Sequence, residues 1–161
     1  VDPSPFDEAW ESAEDLPTEA LNIAALATEA ARQGVVFSVE NAGQPIRSLA
    51  MLVEAARHRM SPAHAQYLGL CPDPTNQLRR FPGDDPLAEL DALPLDMIKI
   101  VHFKQMSNGE AHSGVNDGDL NCLRMRDILN AKGFNGPAIM EIPSAPDVFD
   151  HLAASFQYLG S

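Results

Sequence analysis

Two glutamates, one aspartate and one histidine stand in or just after short apolar stretches of this 161-residue sequence. Glu40 lies near the end of GVVFSVEN, Asp73 follows QYLGLC, His102 lies in MIKIVHFK, and Glu141 follows GPAIM. Carboxylate oxygens with a single imidazole form a donor set suited to Mn²⁺, Mg²⁺, Co²⁺ or Zn²⁺. Three carboxylates gathered in one buried place would repel one another without a cation between them. Together the four residues predict a divalent-metal site.

Each of these residues also has a purely structural interpretation. Glu40 could cap the loop after it, and Asp73 could form an Asx turn before Pro74. His102 could be a hydrogen-bonded core histidine, and Glu141 could pair with a surface arginine. Taken singly, none of the four decides between structure and chemistry, so the prediction depends on all four meeting at one place.

Lys104 and His112 are two further candidates for contact with a substrate. Lys104 comes two residues after His102, and side chains alternate along a strand, so both should point to the same side. Lys104 could stabilise a developing oxyanion, or its long stem could carry the charge out to solvent. His112, in the loop NGEAHSG, could reach a substrate or only decorate the loop. The sequence leaves both alternatives open.

The elements that would position these residues alternate between strand and helix. A first helix is predicted over 18–33, with Gly34 as its stop. Strands are then predicted in GVVFSVEN, QYLGLCPD, MIKIVHFK and GPAIMEIP, and the helices after them in IRSLAMLVEAARHRM, DPLAELDAL, DLNCLRMRDILNAKGF and DVFDHLAASFQYL. This order predicts an α/β fold with parallel strands and right-handed crossovers. Sites in such folds lie at the carboxyl ends of the strands.

Composition narrows the class of function. The net charge of −12, from 23 acidic and 11 basic residues, would repel a nucleic acid, so no nucleic-acid partner is expected. No apolar run is long enough to span a membrane, and no signal peptide is recognisable, which predicts a cytoplasmic protein without a membrane partner. Cys71 and Cys122 are expected to be reduced thiols. Residues 1–17 are predicted to be an irregular acidic lead-in.

The stretches VVFSVENAG, LGLCPDPTNQ, IKIVHFKQ, LNAKGFNGPAIMEIP and HLAASFQYLG resemble the last four β/α units of the xylose isomerase-like TIM barrels, the sugar phosphate isomerase/epimerase group. The resemblance runs from about Thr18 to the end. It implies the C-terminal half of a (β/α)₈ barrel, a partial domain over 18–161 of four parallel β/α units preceded by a helix. A full barrel takes roughly 250 residues. A missing N-terminal half-barrel, or a homo-oligomer, is therefore an expected partner.

The resemblance also implies roles for individual residues. The positions that match the family's metal ligands are Glu40, Asp73, His102 and Glu141. The two glutamates match the acid/base pair of the ketose epimerases, and Lys104 is the further catalytic candidate. Substrate contacts are expected from Lys104, Asn76 and His112. Mn²⁺ is the first choice of metal, with Mg²⁺, Co²⁺ and Zn²⁺ as alternatives.

The reaction that these roles imply is isomerisation or epimerisation of a small sugar, polyol or hydroxy-ketone through an enediolate. A lyase of the inosose dehydratase type is the second candidate, because VHFK is similar in that branch and Lys104 would act there. A degenerate, non-catalytic barrel fragment is the third. The chain departs from the family pattern twice: Asn76 stands where many members carry a second histidine, and no arginine follows His102 at the spacing of the ketose epimerases.

Overall fold

The computed structural model describes residues 18–116 and 118–160, with side chains from Asn22 onward, so the acidic lead-in predicted for residues 1–17 lies outside it. One or two helices separate successive parallel strands along the described chain. The helices are α1 (Thr18–Arg32), α2 (Ile46–Arg57), α3 (Pro62–Ala65), α4 (Pro74–Arg80), α5 (Pro86–Ala92), α6 (Cys122–Lys132) and α7 (Val148–Leu159). The strands are β1 (Phe37–Glu40), β2 (Leu68–Cys71), β3 (Val101–Phe103), β4 (Met106–Ser107), β5 (Glu110–Ala111) and β6 (Ala138–Met140).

Parallel pairing organises the longer strands. β1 pairs with β2, and β3 pairs with β6, both in parallel. A parallel bridge between Leu70 and Ile98 joins β2 to the segment just before β3. The predicted α/β class with parallel strands is thus confirmed. The antiparallel hairpin of β4 and β5 is an addition that the sequence did not predict.

The core lies between the parallel strands and the helices that cover them. The buried face of α2 includes Leu49, Leu52 and Val53, which belong to the same apolar core as Leu68 and Leu70 of β2. Full burial of each such side chain stabilises the folded state by about 1.5–3 kcal/mol. Cys71 and Cys122 are buried free thiols, as expected. Among the described helices, none combines the length and apolar composition that a membrane crossing requires.

Several element bounds differ from the sequence prediction. The stretch MIKIVHFK was predicted to be one strand, but only Val101–Phe103 is extended in the sheet, and Leu95–Met97 forms a short 3₁₀ helix. An Asx turn at Asp73 was one alternative in the sequence, and its side chain does accept from Asn76 N, but as the N-cap of helix α4, Pro74–Arg80, which was not predicted. Apolar runs alone do not mark where hydrogen-bond pairing stops, which explains the shorter strands. Gly133 ends α6 with φ 72°, the left-handed cap for which glycine is suited.

Candidate metal centre

The carboxyl ends of β1 and β2 lie side by side. Glu40, the last residue of β1, pairs in register with Cys71, the last residue of β2. Asp73 comes two residues after Cys71 and is fully buried. The next segment is tied to the same edge, because His102 N donates to Pro72 O at 3.1 Å. Parallel pairing thus puts both carboxylates and the histidine at one edge.

Glu141 reaches this edge through β6. His102 of β3 pairs with Ile139, and Glu141 N donates to Phe103 O at 2.9 Å, which extends the parallel pairing one residue past β6. The chain then turns away toward α7. Glu141 therefore follows the strand on one side of β3, whereas Glu40 and Asp73 belong to the strands on its other side.

The side chains converge as well as the strand ends. One ligand atom from each member of the four-residue cluster lies within 4.8 Å of the others, the members being Glu40, Asp73, His102 and Glu141. His102 Nδ1 is 3.3 Å from Glu40 Oε1 and 3.1 Å from Glu141 Oε2. Three carboxylates and one imidazole in a space of this size form an oxygen-rich donor set.

Asp73 serves two purposes with its two oxygens. Its Oδ1 accepts a hydrogen bond from Asn76 N at 2.9 Å, which makes Asp73 the N-cap of α4. Its Oδ2 is buried and has no hydrogen-bond partner among the described residues. Burial raises the pKa of Asp73 from 3.8 to about 6, against the lowering effects of the Asn76 hydrogen bond and the charge of Lys104. The cap thus aims a buried oxygen without a hydrogen bond into the cluster.

His102 Nδ1 is the second buried polar atom that no described residue satisfies by a hydrogen bond, although two carboxylates lie close to it. Buried polar atoms normally find a partner, so two orphaned ligand atoms in one cluster need an explanation. A divalent cation would supply it, because carboxylate oxygens and an imidazole nitrogen are ligands of Mn²⁺, Mg²⁺, Co²⁺ and Zn²⁺. The residues present therefore fit a divalent metal, while the donor set does not select one ion.

Lys104 lies beside the four-residue cluster and Asn76 links to it. Lys104 Nζ donates to Glu141 Oε1 at 2.9 Å and to Asn76 Oδ1 at 3.2 Å, and it lies 3.7 Å from Asp73 Oδ2. Asn76 Nδ2 donates to Glu40 Oε1 at 3.1 Å. Partial burial raises the pKa of Glu141, but the hydrogen bond and charge of Lys104 outweigh it and leave that pKa below its usual value. The ammonium group does not snorkel to solvent in this structure.

A comparison with protein families places the fold that carries this cluster. The family model described as xylose isomerase-like TIM barrel matches residues 3–159. The chain belongs to this family. The xylose isomerase-like family includes sugar isomerases, epimerases and related enzymes. No curated protein matches the chain.

Two positioning residues of this xylose isomerase-like chain were not found in the sequence. The side chain of buried Asn41 accepts from Asp73 N at 2.8 Å and donates to Asp73 O at 2.9 Å, which ties the loop after β1 to the end of β2. Thr75 Oγ1 donates to Lys104 O at 2.7 Å and ties α4 to the end of β3. Asn41 directly after Glu40 was the only available signal, and such pairs are common in loops.

His112 lies apart from the four-residue cluster. Its main-chain N donates to Gln105 O at 3.0 Å, which keeps it beside the end of β3, and its Nδ1 accepts from Gly114 N at 3.2 Å. The side chain of Gln105 donates to Leu120 O at 2.8 Å and so fastens the far end of this loop. The substrate-binding role predicted for His112 stays a prediction, since its ring bonds within its own loop.

Proposed function

We propose that this protein is a divalent-metal-dependent isomerase or epimerase of a small sugar, polyol or hydroxy-ketone, acting through an enediolate. The observation that supports the proposal most is the pair of orphaned ligand atoms, Asp73 Oδ2 and His102 Nδ1, inside a cluster with two further carboxylates. Membership of a family that includes sugar isomerases and epimerases supports the substrate class. The metal would be held by Glu40, Asp73, His102 and Glu141, with Mn²⁺ the first choice.

The chain's own residues would handle the protons. Glu40 and Glu141 reach the cluster from strands on either side of His102, with distances of 3.3 and 3.1 Å to its Nδ1. One glutamate would remove the proton beside the substrate carbonyl, and the other would return a proton from the opposite side. A bound divalent cation would act as a Lewis acid that lowers the cost of the enediolate.

The polar residues next to the cluster would orient the substrate. Asn76 bonds Glu40 and Lys104 at once, so it holds a glutamate and the ammonium group in fixed positions. Lys104 would donate a hydrogen bond to the oxygen on which negative charge develops. His112 would contact the substrate with its remaining ring nitrogen, Nε2.

A lyase is the second candidate, and the position of Lys104 favours it. Its ammonium group lies among Glu141, Asn76 and Asp73 rather than in solvent. From there it could protonate a leaving hydroxyl of a keto-polyol, after a glutamate has removed the proton on the neighbouring carbon. The two reactions share the first step and differ in whether water leaves.

The experiment that tests the proposal begins with metal affinity. Chelator-stripped protein is titrated with Mn²⁺ by calorimetry, and we expect one ion per chain. His102→Ala and Asp73→Asn should weaken binding by about tenfold or more. Asp85→Asn is the matched control, because Asp85 also precedes a proline and caps a helix, with its side chain accepting from Ala88 N, yet it lies outside the cluster. If the wild-type protein binds no stoichiometric metal, both enzyme hypotheses fail and only the non-catalytic barrel remains.

Reaction type is read separately in D₂O. The Mn²⁺-loaded protein is incubated with a panel of small ketoses and keto-polyols and followed by NMR. Deuterium at the carbon beside the carbonyl, with a rearranged or inverted product, supports the isomerase or epimerase. A dehydrated product supports the lyase instead. Metal binding without any exchange or product from the panel would argue against both.

A further inference from the structure

Arg79 and Arg80 form an unusual cationic pair in this acidic chain. Most of the eleven arginines and lysines have a carboxylate at salt-bridge distance, among them Arg32, Arg47, Arg57, Lys104, Arg124, Arg126 and Lys132. Arg79 instead donates to a main-chain oxygen, Ala42 O, at 3.3 Å. The side chain of Arg80 has no hydrogen bond or ion pair to any described residue. Among the residues with described side chains, neither arginine has a carboxylate partner, which is notable in a chain with a net charge of −12 and makes the pair a candidate for an external anion.

The pair borders a cavity at the same edge as the four-residue cluster. Arg79, Arg80, Ala42 and Gly43 line a space of about 240 Å³. Ala42 follows Glu40 by two residues, so their Cα atoms are at most about 7.6 Å apart. The cavity therefore lies beside the loop that leaves Glu40 of the cluster.

Helix α4 sets the direction from the cluster to the arginines. Asn76 and Arg79 are three residues apart, so they share one face of the helix. Asn76 Nδ2 donates to Asn41 O at 3.0 Å, and Arg79 donates to Ala42 O, so this face lies along the loop after β1. Asn76 also donates to Glu40 of the cluster. Arg79, one turn later in the helix, contacts the residue that follows Asn41 in the loop, Ala42.

We propose that Arg79 and Arg80 bind an anionic group of the substrate, a phosphate or a carboxylate, at the rim of the candidate metal centre. This inference rests on the proposed function, because it takes the reacting carbons of the substrate to lie at the four-residue cluster. A guanidinium group offers paired N–H donors that match both anions in two-point contacts. The substrate class is thereby narrowed from neutral sugars to sugar phosphates or sugar acids.

An alternative explanation is that the arginines only complement the dipole at the end of α4, since both lie in its last turn. That explanation predicts an effect on helix stability and none on anion binding. The two explanations therefore separate in a binding measurement on folded protein.

The test uses the whole chain without metal and inorganic phosphate as the probe, followed by calorimetry or ³¹P line width. Arg79→Gln and Arg80→Gln should each raise the phosphate Kd about tenfold, which corresponds to about 1.4 kcal/mol. Arg59→Gln is the matched control, because Arg59 is also exposed, lacks a carboxylate partner among the described residues and donates only to a main-chain oxygen, Ala55 O. Phosphate that does not bind wild-type protein, or an equal loss in the control, overturns the proposal.

Competition then identifies the anion. Fructose 6-phosphate is compared with fructose, and glucuronate with glucose, as displacers of phosphate. Stronger displacement by the phosphate ester or by the uronate supports the corresponding substrate class. Equal displacement by the neutral sugars, or none by either anion, overturns the assignment to a substrate group. Because these measurements need no metal, their failure is distinct from a failure of Mn²⁺ binding, which would remove the proposed function instead.

Discussion

At the scale of single residues, Lys104 is the side chain whose role the structure sharpens most. The sequence left it between a surface stem and a group that acts on substrate. In the structure its ammonium group bonds Glu141 and Asn76 and is only partly exposed. Its position favours a role in stabilising negative charge on the substrate, because a preorganised cation costs no reorganisation during the reaction.

Lys104→Met should therefore lower turnover by about a hundredfold while Mn²⁺ still binds. The substitution keeps most of the stem and removes the charge. Lys99→Met is the control, since Lys99 precedes β3 and makes no hydrogen bond to a cluster residue. Turnover within about threefold of wild type, a change below 1 kcal/mol, would show that Lys104 does not act on the substrate.

Cys122 gives a prediction about stability at high pH. Burial raises the pKa of its thiol from 9.0 to about 12. Between these values the unfolded chain loses a proton that the folded chain keeps. The free energy of unfolding therefore falls as pH rises from 9 toward 12, and this thiol causes no such fall below pH 9.

Urea unfolding at several alkaline pH values measures this slope. A single such thiol contributes about 1.4 kcal/mol per pH unit within the window. Cys122→Ala should have a shallower slope than wild type, whatever its stability at neutral pH. An unchanged slope in the variant would mean that the thiol ionises in the folded state as it does in the unfolded one.

At the scale of elements, the close approach of β2 to the segment before β3 depends on Gly69. A Cβ atom there would lie 2.4 Å from Met97 O and 2.5 Å from Lys99 Cγ. The neighbouring Leu70–Ile98 bridge and the bond from Lys99 N to Leu70 O, 2.9 Å long, hold these segments together. Spacing at this point also helps set where the ends of β2 and β3 lie.

Gly69→Ala should destabilise the protein by about 1–3 kcal/mol, because the main-chain oxygen cannot move aside cheaply. Chemical unfolding of wild type and variant measures the difference. Gly83→Ala is the control, since a Cβ atom at Gly83 meets nothing within 4 Å. Equal unfolding midpoints for Gly69→Ala and wild type would contradict the packing described here.

At the scale of the whole molecule, several large apolar side chains remain exposed near the last strand and helix. Ile139 of β6 is 44% exposed, and Phe149 and Phe156 of α7 are 79% and 50% exposed. Among the described residues, β6 pairs only with β3 and β1 only with β2. Open strand edges beside apolar side chains favour association with another chain or segment.

The purified 161-residue chain should therefore sediment as species larger than its 17.4 kDa monomer. Ile139→Lys should reduce association, because a charge on an edge strand opposes pairing. Leu95→Lys is the control, at a side chain of similar exposure (43%) in the 3₁₀ helix before β3. A stable wild-type monomer with a cooperative unfolding transition would refute this expectation.

The sequence by itself determined the α/β class and the residues that could meet. Alternation of apolar runs with helical stretches follows from local periodicity, and Glu40, Asp73, His102 and Glu141 stand at strand ends in the linear chain. Helix α4 could also have been predicted, because Asp73–Pro74 is the same N-cap signal as Asp85–Pro86, which stands at the start of the predicted helix α5. The ends of the strands could not be predicted from the sequence, since apolar runs extend beyond the paired residues.

Only the tertiary structure decided how these residues relate to one another. Register between strands that are distant in sequence depends on hydrogen bonds such as that from His102 N to Pro72 O, and no local pattern encodes such a bond. The bonds of Asn41 to Asp73 span 32 residues, and the lack of a hydrogen bond from any described residue to Asp73 Oδ2 depends on all its neighbours at once. Local periodicity sets the elements, whereas the distances that make chemistry feasible arise from contacts far apart along the chain.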